Sequence, residues 1–453
     1  MTANVTWTTR LSFLLAAVGA AVGLGNIWKF PYMAGTSGGA AFVGIYLICV
    51  IAIAIPILIA ELMLGRRGRA SPPTAVARVA DESGRGRAWS LVGWLGAGAG
   101  FLIVSFYSVI AGWALAYAVS AARGTLEGLD AAGSAALFDG LLADPAILTL
   151  WHTLFMGLTV VIVSRGVNRG IEAAVQVLMP TLFAMLLLMV GYAVVAGDFA
   201  AGWSFLFHFE LAAVDGGVVL NAIGQAFFSI GVSMGLMMMY GAYLPRDQPI
   251  PRYSVFIALA DSAVALIAGL AIFPLVFAHG LDPAEGPGLI FVTLPIAFGN
   301  MPFGALFGTL FFVLLVFAAI TSAIALLQPA VVRIQEIPGV NPAAAAILAG
   351  AGAWLLGLVS VLSFNLWGDV HPLGWLPGFA ERTPYDVIDY LTANVMMPLG
   401  GMLIAVFVGW FVAGRVLHDE FPRMPPLAFR LWRVAVRLIA PLAILLVFIA
   451  NLA

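Results

Sequence analysis

Two short stretches hold residues whose types and spacing can bind a solute at membrane depth. The first lies in the apolar run 11–35, LSFLLAAVGAAVGLGNIWKFPYMAG, which carries Gly19, Gly23 and Gly25, then Asn26, Lys29 and Pro31. Glycine costs about 1 kcal/mol relative to alanine inside a helix, and an unsatisfied peptide group in hydrocarbon costs several more. The segment therefore reads as a helix that unwinds in mid-membrane, where freed carbonyls and amides meet an ion or a solute. The second stretch, GQAFFSIGVSMG over 224–235, sets Gly224, Ser229, Gly231, Ser233 and Gly235 at mid-depth of another apolar run. Close packing through small residues is the competing explanation, but packing needs neither Asn26 nor the run of hydroxyls. Further along come Asp261, an acid in an apolar run, and the adjacent hydroxyls of Thr321 and Ser322.

The elements that must position these residues are membrane helices. Of 453 residues, 62% are hydrophobic and 9% charged, against about 25% charged in soluble domains. Hydropathy predicts eleven spans near 10–35, 40–64, 90–121, 148–164, 171–196, 218–243, 254–280, 302–335, 342–362, 385–414 and 430–451, each long enough to cross or nearly so. With the N-terminus in the cytoplasm, 17 of the 20 Lys plus Arg fall on the inner side, leaving Arg123 and Arg382 outside and Lys29 within the first span. That asymmetry sets the orientation, and an odd number of spans puts the C-terminus outside. The basic loop 66–89 reads as a topology determinant beside anionic lipid. Outer loops near 122–147 and 363–384 are placed to cap a vestibule.

Composition also excludes functions. A net charge of −2 gives no footing for nucleic acid, the lone Cys49 forbids an intrachain disulfide, and five scattered histidines lack ligand spacing. No cleavable leader is expected, because the first apolar stretch is broken by polar residues. A channel needs a continuous polar lining, and an enzyme needs converging acid–base or metal residues; the polar residues here sit at one depth instead.

Along nearly its whole length the chain resembles the neurotransmitter:sodium symporters. The resemblance rests on GLGNIWKFPY with GTSGGAAF in span one and its exit, AIPILIAELMLGR in two, FYSVIAGW in three, GQAFFSIGVSMG in six, AAITSAIALLQP in eight and YDVIDYLTANVMMPLGG in ten. It implies an all-α polytopic membrane protein of LeuT-like fold, with two inverted five-helix repeats, 1–196 and 197–414, and an eleventh transmembrane helix in 415–453. It implies sodium-coupled import of an amino acid by alternating access across a bacterial-type plasma membrane, and no enzymatic activity. A non-transporting amino-acid sensor of the same fold, or a symporter for another small zwitterion, stays open.

Carried over position by position, the resemblance implies two sodium sites. One uses the Ala21 carbonyl, Asn26, Ser229 and Asp261; the other uses Gly19, Val22, Ala318, Thr321 and Ser322. Thr321 and Ser322 taken alone also suit helix packing. Asp261 departs from the asparagine common in the family, and Ala265 stands where chloride-dependent members have serine. Together these imply chloride-independent transport; an Asp261 lying near the inner surface beside Arg246 and Arg252 is the alternative. The substrate is expected among Ala20, Ala21, Gly23, Leu24, Gly25, Ile103, Tyr107, Phe228, Ser229, Gly231, Met234, Ser322 and Leu326. Glycine at 23, where amine carriers have aspartate, implies an amino acid, and Gly231 with the adaptable Met234 implies a large apolar or aromatic side chain. Lys29 and Asp389 align with the outer gate, while Trp7, Tyr243 and Glu336 align with the inner one. The inner gate's arginine is here Asn4, with Arg10 as a possible substitute. Glu61 and Gln225 read as an internal polar pair, and Met237–Met239 as packing.

Overall fold

A computed structural model describes residues 6–284 and 288–452; Asn4 lies outside them. The chain is helical. The first span is two pieces, α1 (Arg10–Ala21) and α2 (Gly25–Thr36), bent by 50° at the break. Then follow α3 (Ala40–Gly68), the loop helix α4 (Pro72–Glu82), α5 (Arg87–Ala122), the loop helix α6 (Ala131–Ala143), α7 (Pro145–Ser164), α8 (Val167–Ala196) and the short α9 (Phe199–Phe207). The second half runs α10 (Gly216–Ile230), α11 (Leu236–Ala242), α12 (Ile250–Ala278), α13 (Leu289–Gly299), α14 (Gly304–Gln335), α15 (Pro342–Ser363), α16 (Pro384–Phe411), α17 (Gly414–Glu420) and α18 (Pro426–Ala450).

Among the described residues, nine helices are long and apolar enough to cross a membrane, and the bent pair α1–α2 makes a tenth. The sixth expected span fails that length test because it is split. Its 15-residue α10 and 7-residue α11 are about 22 and 10 Å long at 1.5 Å per residue, so only together do they match a hydrocarbon core of about 30 Å. Helices α4, α6 and α13 were not expected; the loops carrying them are shaped rather than slack. Helix α13 is tied to α5 by the Tyr117 hydroxyl, which donates to the Phe291 carbonyl (2.8 Å), and to α6 by the Ser134 hydroxyl, which donates to the Val292 carbonyl (2.6 Å).

The two breaks have different local causes. In α10–α11 the residues Gly231, Ser233 and Gly235 all take left-handed φ near +70°, which ends one helix and restarts another; only glycine adopts this freely. Ser233 is held in it by its backbone N–H, which donates to the buried Glu61 carboxylate of α3. Neighbouring helices approach this turn on glycines: a methyl on Gly96 would come 3.2 Å from the Ser233 carbonyl oxygen, and one on Gly401 2.7 Å from its hydroxyl. In α1–α2 the helix leaves α geometry at Val22, whose ψ of 108° is extended. Pro31 then sits in the first turn of regular α-helix, where a missing N–H is tolerated.

Candidate functional site

The break in α1–α2 leaves peptide groups that the structure pairs individually. The Gly23 N–H donates to Asn26 Oδ1 (3.1 Å) and the Leu24 N–H to the Tyr107 hydroxyl (3.2 Å). On the carbonyl side, Ser322 Oγ of α14 faces Val22 at 3.2 Å, Ala20 at 3.3 Å and Gly19 at 3.5 Å. One hydroxyl proton cannot satisfy three carbonyls. The surplus of oxygen dipoles at one point is what a small hard cation completes. Thr321, also expected there, instead donates back to Ala318 at 3.0 Å on its own helix, although its Cβ would lie 3.3 Å from a methyl on Gly19.

Asp261 of α12 gathers the other group. It is fully buried, which removes the alternative of an inner-surface residue solvated beside Arg246 and Arg252. Asn26 Nδ2 donates to its Oδ1 (2.8 Å), and Ser229 Oγ donates to its Oδ2 (2.6 Å). Asn26 Nδ2 also reaches Ser229 Oγ at 3.0 Å. One carboxylate thus joins the residue just past the first break to the residue just before the second. A charged residue at this depth is tolerated when its oxygens are met by donors or by a cation. Tyr46, which the sequence analysis did not single out, adds its hydroxyl 3.3 Å from Ser229 Oγ and 3.3 Å from Ser262 Oγ.

The residues expected to line a substrate site are buried, with Ala20, Ala21, Leu24, Ile103, Met234 and Leu326 at 2–5% exposure and Phe228 half-buried. Gly23 is hemmed in: a methyl there would be 2.9 Å from the Tyr107 hydroxyl and 3.2 Å from Ser322 Cβ. Gly25 lies under the Phe228 ring, 3.2 Å from a built Cβ. Met234 and Leu326 come together over Gly100 of α5. Gly231, expected to enlarge the pocket, serves the backbone instead. A Cβ there would point at Leu236 (3.2 Å), and φ is +70°, so the backbone turn, not pocket volume, calls for glycine.

The residues expected at the gates make the following contacts. Lys29 sets its ammonium 4.0 Å from the centroid of the Phe228 ring, a cation–π contact; among the described residues no ion pair joins it to Asp389. Above it opens a cavity of about 240 Å³ lined by Lys29, Asn221, Phe228, Asn394 and Met397. Near the start of the chain, the Trp7 indole donates to the Tyr240 carbonyl (3.2 Å) and its backbone N–H to the Tyr243 carbonyl (3.3 Å). Gln328 holds the Tyr243 hydroxyl at 3.1 Å. Glu336 does not face this plug. It accepts from Ser71 and Thr74 at the start of α4 (2.8 Å each) and from Arg333 (3.2 Å).

A polar seam joins α8 to the start of the chain. Asn168 Nδ2 donates to the Thr6 carbonyl (3.0 Å), Glu172 accepts from the Thr8 N–H and hydroxyl, and Gln176 Nε2 donates to Ser12 Oγ (3.0 Å). Met179 then packs on Gly19, its sulfur 2.8 Å from a built Cβ. Residues 168, 172 and 176 are four apart and so share one helix face. That polar stripe is legible in VNRGIEAAVQ, residues 167–176. Among the described residues no hydrogen bond joins Glu61 to Gln225: Glu61 accepts from the Ser233 N–H at the second break, while Gln225 Nε2 donates to the Gly25 carbonyl (2.9 Å) at the first.

The sequence model of the Sodium:neurotransmitter symporter family matches residues 4–129 and 142–453. The sodium-dependent transporter YhdH of Bacillus subtilis (strain 168) is 38% identical over 448 residues, covering 98% of this chain and 97% of that one. A sodium-dependent transporter of Haemophilus influenzae is 30% identical, covering 99% and 98%. Among solved structures, MhsT in complex with L-phenylalanine matches with a TM-score of 0.89 and 41% identity over 99% of this chain and 100% of that one; MhsT is a LeuT-fold transporter.

Proposed function

The chain belongs to the sodium:neurotransmitter symporter family, a family of sodium-coupled membrane transporters rather than enzymes, and from that premise we propose that it imports a large apolar or aromatic L-amino acid together with sodium, without chloride. The observation that carries this reading is the fully buried Asp261 carboxylate held by Asn26 and Ser229 at the two helix breaks. A fixed negative charge at that point supplies the counter-charge that sodium needs, so a mobile anion is superfluous. When sodium enters, the Asn26 amide turns its oxygen to the ion, and Asp261, Ser229 and the Ala21 carbonyl complete the shell with the substrate carboxylate. A second ion takes the carbonyls of Gly19, Val22 and Ala318 with the Ser322 and Thr321 hydroxyls. The substrate lies between the breaks, its carboxylate toward Gly23–Gly25 and Tyr107 and its side chain toward Ile103, Phe228, Met234 and Leu326.

Two ions crossing 100 mV release about 4.6 kcal/mol, a concentrating power of roughly three orders of magnitude. Residues 1–196 and 197–414 act as the two inverted repeats that rock around this fixed site, and 415–453 supplies the eleventh helix. The N-terminus faces the cytoplasm and the C-terminus the outside. The substrate class draws support from the phenylalanine bound to MhsT. The test is uptake of radiolabelled L-phenylalanine, L-leucine and L-tryptophan into proteoliposomes. Uptake is expected with a sodium gradient, unchanged when gluconate replaces chloride, and lost with choline in place of sodium. Asp261→Asn is expected to raise the sodium requirement about tenfold or more. Collapse of uptake in gluconate refutes the chloride part, and uptake in choline refutes the coupling.

A further inference from the structure

At the inner surface, the turn between α11 and α12 and the chain between α17 and α18 enclose a groove of about 480 Å³, bounded by Arg246–Arg252 on one side and Glu420–Ala428 on the other. Three arginines ring it: Arg246, Arg252 and Arg423. All three are exposed, and among the described residues none makes a side-chain hydrogen bond or ion pair. The acids nearby are already engaged. Glu420, buried in the floor, is paired with Arg66 at 2.8 Å and with Arg67 at 3.2 Å. Asp419 pairs with Arg67, and Asp247 accepts from the Gln248 side chain at 2.7 Å. Of these, only Asp247 keeps a carboxylate without a cationic partner, so the groove remains net positive.

Apolar tracks lead away from the arginines. On α12, Arg252 is followed at i+3, i+4 and i+7 by Val255, Phe256 and Leu259, exposed at 42%, 51% and 54%, which places all four on one helix face. On α18, Leu427 and Leu431 are four apart and both 62% exposed, and Arg423 lies just ahead of them in the chain. Each wall of the groove thus carries an arginine at the surface and a greasy stripe running into the bilayer. Beside the paired Glu420, the floor between them is lined by the apolar Ile250, Phe421 and Met424.

We propose that this groove is a binding site for the phosphate headgroup of an anionic diacyl phospholipid, with one acyl chain along Val255–Leu259 and the other along Leu427–Leu431. Guanidinium groups bind phosphate oxygens in bidentate fashion. Three of them repel the ammonium of a zwitterionic headgroup, so the lipid is anionic, such as phosphatidylglycerol. Occupancy braces the turn carrying Gln248, whose carbonyl accepts from Arg66 at 2.6 Å and whose side chain is hydrogen-bonded to Tyr253. Gln248 and Tyr253 also line the inner cleft beside Trp7. The site does not depend on which solute the protein carries.

Native mass spectrometry of the full chain, titrated with dioleoyl phosphatidylglycerol, dioleoyl phosphatidylcholine or inorganic phosphate, tests the proposal. Phosphatidylglycerol is expected to bind at least tenfold more tightly than phosphatidylcholine. Each arginine near a membrane surface contributes roughly a fivefold factor, so R252Q/R423Q is expected to lose about twentyfold or more. R252K/R423K is expected to recover most of that loss. R165Q/R169Q, which removes exposed inner-face arginines elsewhere, is the control expected to leave the affinity within twofold. The thermal unfolding midpoint without lipid checks that each variant is folded. The proposal is overturned if R252Q/R423Q binds phosphatidylglycerol like the parent, if R165Q/R169Q loses as much, or if inorganic phosphate alone binds as tightly as the lipid.

Discussion

Gly23→Ala is a methyl-sized perturbation aimed at the centre of the site. The new Cβ lies 2.9 Å from the Tyr107 hydroxyl, 3.2 Å from Ser322 Cβ and closer still to Ser322 Oγ. Both neighbours must retreat. Ser322 then leaves the carbonyls of Val22 and Ala20, which it faces at 3.2 and 3.3 Å, and Tyr107 leaves the Leu24 N–H at 3.2 Å. Overpacking a well-packed position costs about 1–3 kcal/mol. If that cost falls on the bound state, it lowers affinity roughly 5- to 150-fold. The assay is scintillation-proximity binding of labelled L-phenylalanine over a sodium titration, with the thermal midpoint as a check on folding. The expected result is a rise of that size in the sodium concentration for half-saturation. Ser322→Ala on the Gly23→Ala background, by removing the clashing oxygen, is expected to cost less than Ser322→Ala alone. Binding within twofold of the parent at every sodium concentration would refute the reasoning, because the methyl would then have found room the structure does not contain.

Further tests bear on the inner end and the inner surface. Glu172→Ala removes the acceptor for the Thr8 N–H and hydroxyl and for Asn168; hydrogen bonds to a charged group are worth about 1.5–3 kcal/mol. Alkylation of Ala17→Cys in a Cys49→Ala background is therefore expected to speed up about tenfold or more, and an unchanged rate in sodium would show that the α8 seam does not hold the inner gate. The Arg67 guanidinium, hydrogen-bonded to Glu82 and Asp419, holds both carboxyls below their usual values of 4.5 and 3.8. Groups so lowered contribute stability that is present above those values and lost as pH falls through the depressed ones. The thermal midpoint is thus expected to fall with acid below about pH 4.5, less steeply in Glu82→Gln; an identical acid profile in the variant counts against a role for this pair.

Local chemistry along the chain decided a great deal. Eleven apolar runs, the skew of arginines to one side and the clustering of glycine with Asn26 or with Ser229 and Ser233 are properties of consecutive residues. They fixed the membrane class, the spans and the two interruptions, because burial in hydrocarbon penalises each misplaced charge or peptide group where it stands. The motif resemblance extended that to Asn26, Ser229 and Asp261, which the fold brings within 3.0 Å of one another through pairwise hydrogen bonds. What depends on contacts across helices was decided only by the tertiary structure. Lys29 lies over Phe228 rather than paired with Asp389, Glu336 is drawn to the start of α4, and Glu61 and Gln225 each serve a different break. A charged or amide side chain has several partners within reach along its length, and its choice among them is set by where neighbouring backbones pass. Those positions follow from the packing of α3, α5, α8 and α14 around the breaks, and no spacing within a single segment encodes them.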